Sequence, residues 1–171
     1  MRLIFIAQHM TDIHSIERIV PDELNTAVQW SAETLELHLE RYRFAASRIR
    51  GSVVLDMACG SGYGAHLLAN NTINSLESIT AVDIDADCIV YAKERYYHPL
   101  INFLQADATM FDDGRKFDSI VSLETIEHLP HTKPFLKHLF HLLNTKGLLI
   151  CSVPITPVSY THLRAHETVL D

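Results

Sequence analysis

Val53–His66 reads VVLDMACGSGYGAH: an apolar run, an acid, then glycines at every second position, Gly60, Gly62 and Gly64. A short apolar run suits a buried strand, and glycine lets the backbone turn tightly and approach a bound group without a Cβ in the way. The stretch therefore points to a strand, a tight loop and a helix start over a bound nucleotide. It does not say which nucleotide. The same letters fit the dinucleotide pattern, with Gly60, Gly62 and then Ala65 in the third small position.

The rest of the chain repeats the alternation. Val53–Met57 reads as a strand and Tyr63–Asn70 as a helix, then Ile79–Asp83 as a strand and Asp85–Tyr97 as a helix. Strands at Ile101–Gln105 and Phe117–Leu123 follow. A helix over Thr132–Leu143, a turn at Asn144–Gly147 and a strand over Leu148–Val153 come next. Alternating strands and helices imply an α/β fold: a Rossmann-like, open, mostly parallel sheet with helices on both faces. Right-handed crossovers then set the strand carboxyl ends along one edge, where ligands bind. The first fifty residues read as mixed and mostly helical, with apolar residues at helical spacing across Ser31–Arg48. The run LIFIA at Leu3–Ala7 is too short to span a bilayer and weak as a signal-peptide core; it also fits an upstream extension, with Met10 as the start.

Bulk properties narrow the class. The 171 residues suit one domain, and 47% hydrophobic with 20% charged residues suits a soluble globular one. A net charge of -7 disfavours a nonspecific hold on nucleic acid or an anionic membrane. The three cysteines are scattered without zinc-like spacing, which favours a reducing cytoplasm.

Two acids separate the cofactor candidates, and a third is common to both. Asp83, about twenty residues past the glycines, is placed to accept both ribose hydroxyls of either cofactor. Asp56 interrupts the apolar strand just before the loop, where a dinucleotide fold usually runs straight into its first glycine. A carboxylate there orients the loop and suits the sulfonium and ammonium of S-adenosylmethionine (SAM). Asp107, in FLQADA, is placed to accept from an adenine amino group. Taken in order, VLDMACGSGYG, AVDID, FLQADA, FDSIVSLETIEHL and LLNTKGLLICSVP resemble the successive motifs of class I SAM-dependent methyltransferases over about residues 51 to 155. ERIVPD and HLERYRFAA resemble one branch of that family, whose members often occur among genes for surface glycans.

The resemblance implies that Gly60, Gly62 and Gly64 lie under the methionine and ribose of SAM, with Asp56 as the strand-end acid. It implies that Asp83 holds the ribose and that Asp107 and the backbone of Ala108 meet adenine. Ser122 and Leu123 would line the sulfonium side. Arg41 suits a bidentate hold on the SAM carboxylate, with His38 and Tyr42 as neighbours; a solvated amphipathic helix is the competing reading.

ETIEH, at Glu124–His128, supplies the candidate catalytic group. In a helix, Glu124, Glu127 and His128 would share one face at the cofactor edge. His128 could then act as a general base toward a substrate hydroxyl, since an imidazole titrates near neutrality. Alternatively the three residues hold a divalent metal, as in some methyltransferases with a similar ExxEH element, or they form only a local polar network. His138 and His141 read as helix-surface residues.

The chain's end reads differently. Val158–Thr168, VSYTHLRAHET, matches one translated frame of a common transposase sequencing adapter and shows no strand pattern. The expected division is a helical cap or substrate segment over 1–50, an incomplete SAM-binding core over 51–157 and a non-native tail over 158–171. The last two strands of the seven-stranded family sheet would then be missing. The edge of the strand ending at Val153 would be uncovered and prone to aggregation. The expected activity is methyl transfer from SAM to a small-molecule or glycan acceptor, on a hydroxyl oxygen. A noncatalytic SAM- or nucleotide-binding module or inactive fragment is the runner-up, and an NAD-dependent oxidoreductase the third reading.

Overall fold

The computed structural model describes residues 2–9, 29–72, 75–155 and 164–169, with side chains for 2–6, 35–72, 75–153. Its elements run β1 (Arg2–His9), α1 (Gln29–Arg48), β2 (Val53–Met57), α2 (Tyr63–Asn71), β3 (Ser78–Asp83) and α3 (Ala86–Arg95). They continue with β4 (Ile101–Gln105), β5 (Phe117–Ser122), a 3-10 turn (Ile126–His128), α4 (Thr132–Leu142), β6 (Leu143–Ile155) and β7 (Arg164–Val169). One sheet holds all seven strands in the order β4-β3-β2-β5-β6-β1-β7, parallel except for the β1–β7 pair. The expected Rossmann-like α/β sheet is therefore present.

Period-two alternation distributes the core over both faces. Val54, Ile79, Ala81, Val121, Leu148 and Ile150 meet α1, α2 and α3 through Ala45, Ile49, Leu68 and Ile89. Leu55, Met57, Ile120, Leu149 and Cys151 face the other way and meet Phe135, Leu139 and Leu142 of α4. The alternation also puts Asp56 on the α1 side, next to Val54, and so beneath the N-terminal helix.

Three expectations change. Residues 2–9 form a strand, not part of a helical segment: Ile4 and Ile6 are buried at 5% and 2% exposure, and β1 pairs in parallel with β6 from Arg2↔Leu148 to His9↔Ile155. The edge expected to be bare is thus covered, and the place beside β6 is filled from the N-terminus. Arg164–Val169, read as patternless, pairs antiparallel with β1. Pairing needs only backbone donors and acceptors on an open edge, so a sequence without alternation can still join it. Finally, β6 begins at Leu143, because Phe117 pairs with Leu143 and Ser119 with Leu148, so the Asn144–Gly147 turn bulges out within the strand.

Candidate functional site

The glycine loop leaves β2 through Ala58, whose φ is 64°, and the loop after β5 passes through Glu124 at φ 50°. Non-glycine residues at positive φ are uncommon and store strain. These two stand at the carboxyl ends of neighbouring central strands. The three glycines differ in what they face. A Cβ on Gly60 would meet nothing within 4 Å, so Gly60 borders open space. On Gly62 it would lie 2.5 Å from the Cβ of Ala92 and 2.9 Å from the Phe103 ring, and on Gly64 2.0 Å from the Tyr42 ring. Only Gly60 combines a positive φ with room for a ligand. Gly62 lets α3 and β4 close on the loop, and Gly64 lets α1 close on α2.

Asp83 ties the edge together. Its Oδ2 accepts from the Gly60 amide at 2.8 Å, and its Oδ1 from the Asp85 amide at 3.0 Å. Asp85 then caps α3, accepting from the amides of Asp87 and Cys88. Asp107 is exposed, and its Oδ1 accepts from both the amide and the hydroxyl of Thr109, bonds that hold its carboxyl below the usual range. Ala108 is half-buried beside it. Ser122 is fully buried, its Oγ without a partner among the described residues, and Leu123 is buried in the cluster with Val121.

One face of α1 reaches both flanks of the glycine loop and the loop after β5. His38, Arg41 and Tyr42 stand at i, i+3 and i+4, the spacing that shares a helix face. His38 Nδ1 meets the Tyr63 hydroxyl at 3.1 Å, at the start of α2. The Tyr42 hydroxyl donates to Asp56 Oδ1 at 3.2 Å, at the end of β2. Arg41 Nη2 approaches Glu124 Oε2 at 3.6 Å, after β5. Burial pushes His38 down to about 4, with the Arg41 charge adding to it. Burial pushes Asp56 up to about 7, against the Tyr42 hydrogen bond and with help from the Asp83 charge. The hydroxyls of Tyr42 and Tyr63 are raised too, chiefly by burial. The solvated-helix reading of this segment does not hold: Arg41 is 4% and Tyr42 5% exposed.

ETIEH is not helical throughout, so its three polar residues do not share a helix face. Only Ile126–His128 form a 3-10 turn, and Glu124 precedes it in left-handed backbone. Glu124 turns inward: its Oε1 accepts from Ser152 Oγ at 2.6 Å, and its amide donates to the same oxygen at 3.0 Å. His128 stays exposed and the Glu127 side chain is half-buried, the two 4.0 Å apart at Nε2 and Oε1. Burial raises Glu127, and the Glu124 charge adds to that. Among the described residues no three His, Cys, Asp or Glu side chains are grouped as a metal ion requires. His138 does more than face solvent, since its Nε2 meets the Phe111 carbonyl at 2.8 Å.

Sequence reading missed the Tyr42–Asp56 bond and the role of Ser152. A signal for Ser152 existed: it is a polar residue inside the otherwise apolar run LLICSV. The arrangement suits SAM on two observations. Gly60 borders open space beside the ribose candidate Asp83. Arg41 is a buried guanidinium whose Nε has no partner among the described residues, an unmet demand for an anion such as the SAM carboxylate.

Residues 55–151 match the family described as "Methyltransferase domain". A Mycobacterium tuberculosis (strain H37Rv) protein named "Probable S-adenosylmethionine-dependent methyltransferase" is 31% identical over 139 residues, 81% of this chain and 47% of that protein. The malonyl-[acyl-carrier protein] O-methyltransferase of Bacillus anthracis is 31% identical over 121 residues, 71% of this chain and 43% of that protein. The chain thus spans about half the length of the curated relatives it matches. Among solved structures, an amino pentose methyltransferase from Micromonospora echinaspora with SAM bound has a TM-score of 0.53 at 20% identity, covering 72% of this chain and 50% of that one. These observations make the chain a member of the methyltransferase domain family, whose cofactor is S-adenosylmethionine.

Proposed function

We propose that the chain is the cofactor-binding part of a SAM-dependent methyltransferase acting on a small-molecule or glycan acceptor, at a hydroxyl oxygen, in a reducing cytoplasm. The observation that carries the reading is the buried, incompletely partnered Arg41 above a glycine loop that is open at Gly60. The acceptor class is supported by a structural neighbour described as an amino pentose methyltransferase. The three buried free cysteines agree with a reducing compartment. Among the described residues no helix is long and apolar enough to cross a membrane.

When bound, SAM supplies a methyl group on a sulfonium that a nucleophile displaces in line. The chain's own residues bind and align. Arg41 takes the carboxylate, and Gly60 gives the backbone close approach. Asp83, already fixed by two amides, turns its remaining lone pairs to the ribose hydroxyls. Asp107 and Ala108 meet adenine, while Ser122 and Leu123 border the reacting side. Asp56 acts from beneath, holding Tyr42 and thus α1 over the loop. Gly62 and Gly64 act by letting the neighbouring elements close. His128, exposed on its turn, receives the acceptor's hydroxyl proton, with Glu127 beside it and Glu124 behind. Most of the rate gain in such a displacement comes from alignment and proximity.

Calorimetry on the chain with SAM, S-adenosylhomocysteine (SAH) and NAD tests the reading. SAM and SAH should bind and NAD should not. A preference for NAD would overturn it.

A further inference from the structure

Arg41 is 4% exposed, and its Nη2 lies 3.6 Å from Glu124 Oε2, while among the described residues its buried Nε finds no hydrogen-bond partner. A buried guanidinium this poorly compensated is costly. Glu124 is anchored elsewhere, since its Oε1 accepts from Ser152 Oγ at 2.6 Å and its backbone stands at φ 50°. Only its second oxygen reaches Arg41. In a guanidinium, Nε–H and one Nη2–H lie parallel along one edge, which matches the two oxygens of a single carboxylate. Glu124 thus places one oxygen, at long range, on an edge built for two.

We propose that Glu124 is an internal, partial occupant of a carboxylate site on Arg41, and that the carboxylate of the cofactor's amino-acid tail displaces it from that edge. This rests on the cofactor reading above. Exchange of one carboxylate for another keeps the buried charge pair balanced, which a dianionic phosphate would not. The incoming group gains the Nε–H that Glu124 leaves bare. Glu124 keeps its bond from Ser152. Glu124 therefore competes with the cofactor tail and sets how strongly the site discriminates ligands that carry it.

The test is calorimetry with two probes: SAH, which has the carboxylate tail, and 5′-methylthioadenosine, which lacks it. Glu124→Gln keeps an oxygen to accept from Ser152 and removes the competing charge. It should tighten SAH by about tenfold and leave methylthioadenosine unchanged. Arg41→Lys keeps the charge, loses the fork and should narrow the preference for SAH over methylthioadenosine. Unchanged or weaker SAH binding in Glu124→Gln, or an unaltered preference in Arg41→Lys, overturns the proposal. If neither probe binds the wild-type chain, the cofactor reading itself falls. If both bind and their ratio ignores both substitutions, only the exchange falls. Should Glu124→Gln misfold and lose both probes together, Glu124→Asp takes its place with the same expected result, because aspartate tolerates positive φ and is too short to hold Nη2.

Discussion

Gly60, Gly62 and Gly64 look alike in the sequence, and side-chain volume separates them. A methyl group on Gly64 must enter the Tyr42 ring, so Gly64→Ala has to push α1 away from α2. We expect a loss of roughly 1–3 kcal/mol or more in urea-melt stability, the usual cost of overfilling a close-packed contact. Gly60 has room for the same methyl, so Gly60→Ala bears only the strain of a non-glycine residue at φ 55°, about 1–2 kcal/mol. Its main effect should fall on ligand binding, because the methyl then stands in the space left for the cofactor. Calorimetry with SAH beside a urea melt separates the two. If Gly64→Ala keeps its stability and loses SAH, Gly64 lies under the ligand as the motif suggests, and the packing assignment fails. Spacing carries the loop's existence, but which glycine touches what depends on Tyr42, Ala92 and Phe103, residues that sequence distance keeps apart.

Among the elements, those with a strong local signal were legible. Val53–Met57 and Ile101–Gln105 form strands at the expected bounds, and α2, α3 and α4 differ from expectation only at their ends. Asp85 shows why α3 was readable: an acid accepting from two first-turn amides is a local device, and Asp85→Ala should cost about 1 kcal/mol in a thermal melt. An unchanged melting point would show that packing alone sets that helix start. LIFIA is hard to place from sequence because a short apolar run has no local partner that reveals its role. Its place beside β6 is fixed by residues nearly the whole chain away. If β1 is an integral strand, Ile6→Ala removes a fully buried side chain and should cost about 2–5 kcal/mol. An upstream extension would tolerate the change, so a wild-type melt for Ile6→Ala would return the segment to that reading. ETIEH failed as a helix for a comparable reason: the inward pull of Ser152 and Arg41 on Glu124 comes from β6 and α1, outside the motif.

For the whole molecule, the buried Asp56 and the half-buried His38, on either side of the α1–β2 contact, oppose each other in their effect on stability. Asp56 has a folded value of about 7 against an ordinary 3.8, so between those values the folded chain keeps a proton that the unfolded chain has lost. Alone, this makes stability fall as pH rises from about 4 to about 7. His38 has a folded value of about 4 against an ordinary 6.5, so over nearly the same range the unfolded chain holds a proton that the folded chain lacks. Alone, this makes stability rise with pH. Near the middle of the window these two proton differences oppose each other, so the slope of the wild-type stability curve should lie between those of variants lacking one or the other. Each substitution should expose the other slope. Asp56→Asn keeps an oxygen for the Tyr42 hydroxyl, and relative to the wild type its stability should climb by about 1.4 kcal/mol per pH unit as His38 sheds its burden. His38→Gln should fall at about the same rate, as Asp56 is forced to ionise in the core. Urea melts at half-unit steps across the window measure both. Parallel curves for the wild type and both variants would mean that neither group titrates as its burial requires, and that α1 does not seal Asp56 and His38 from water.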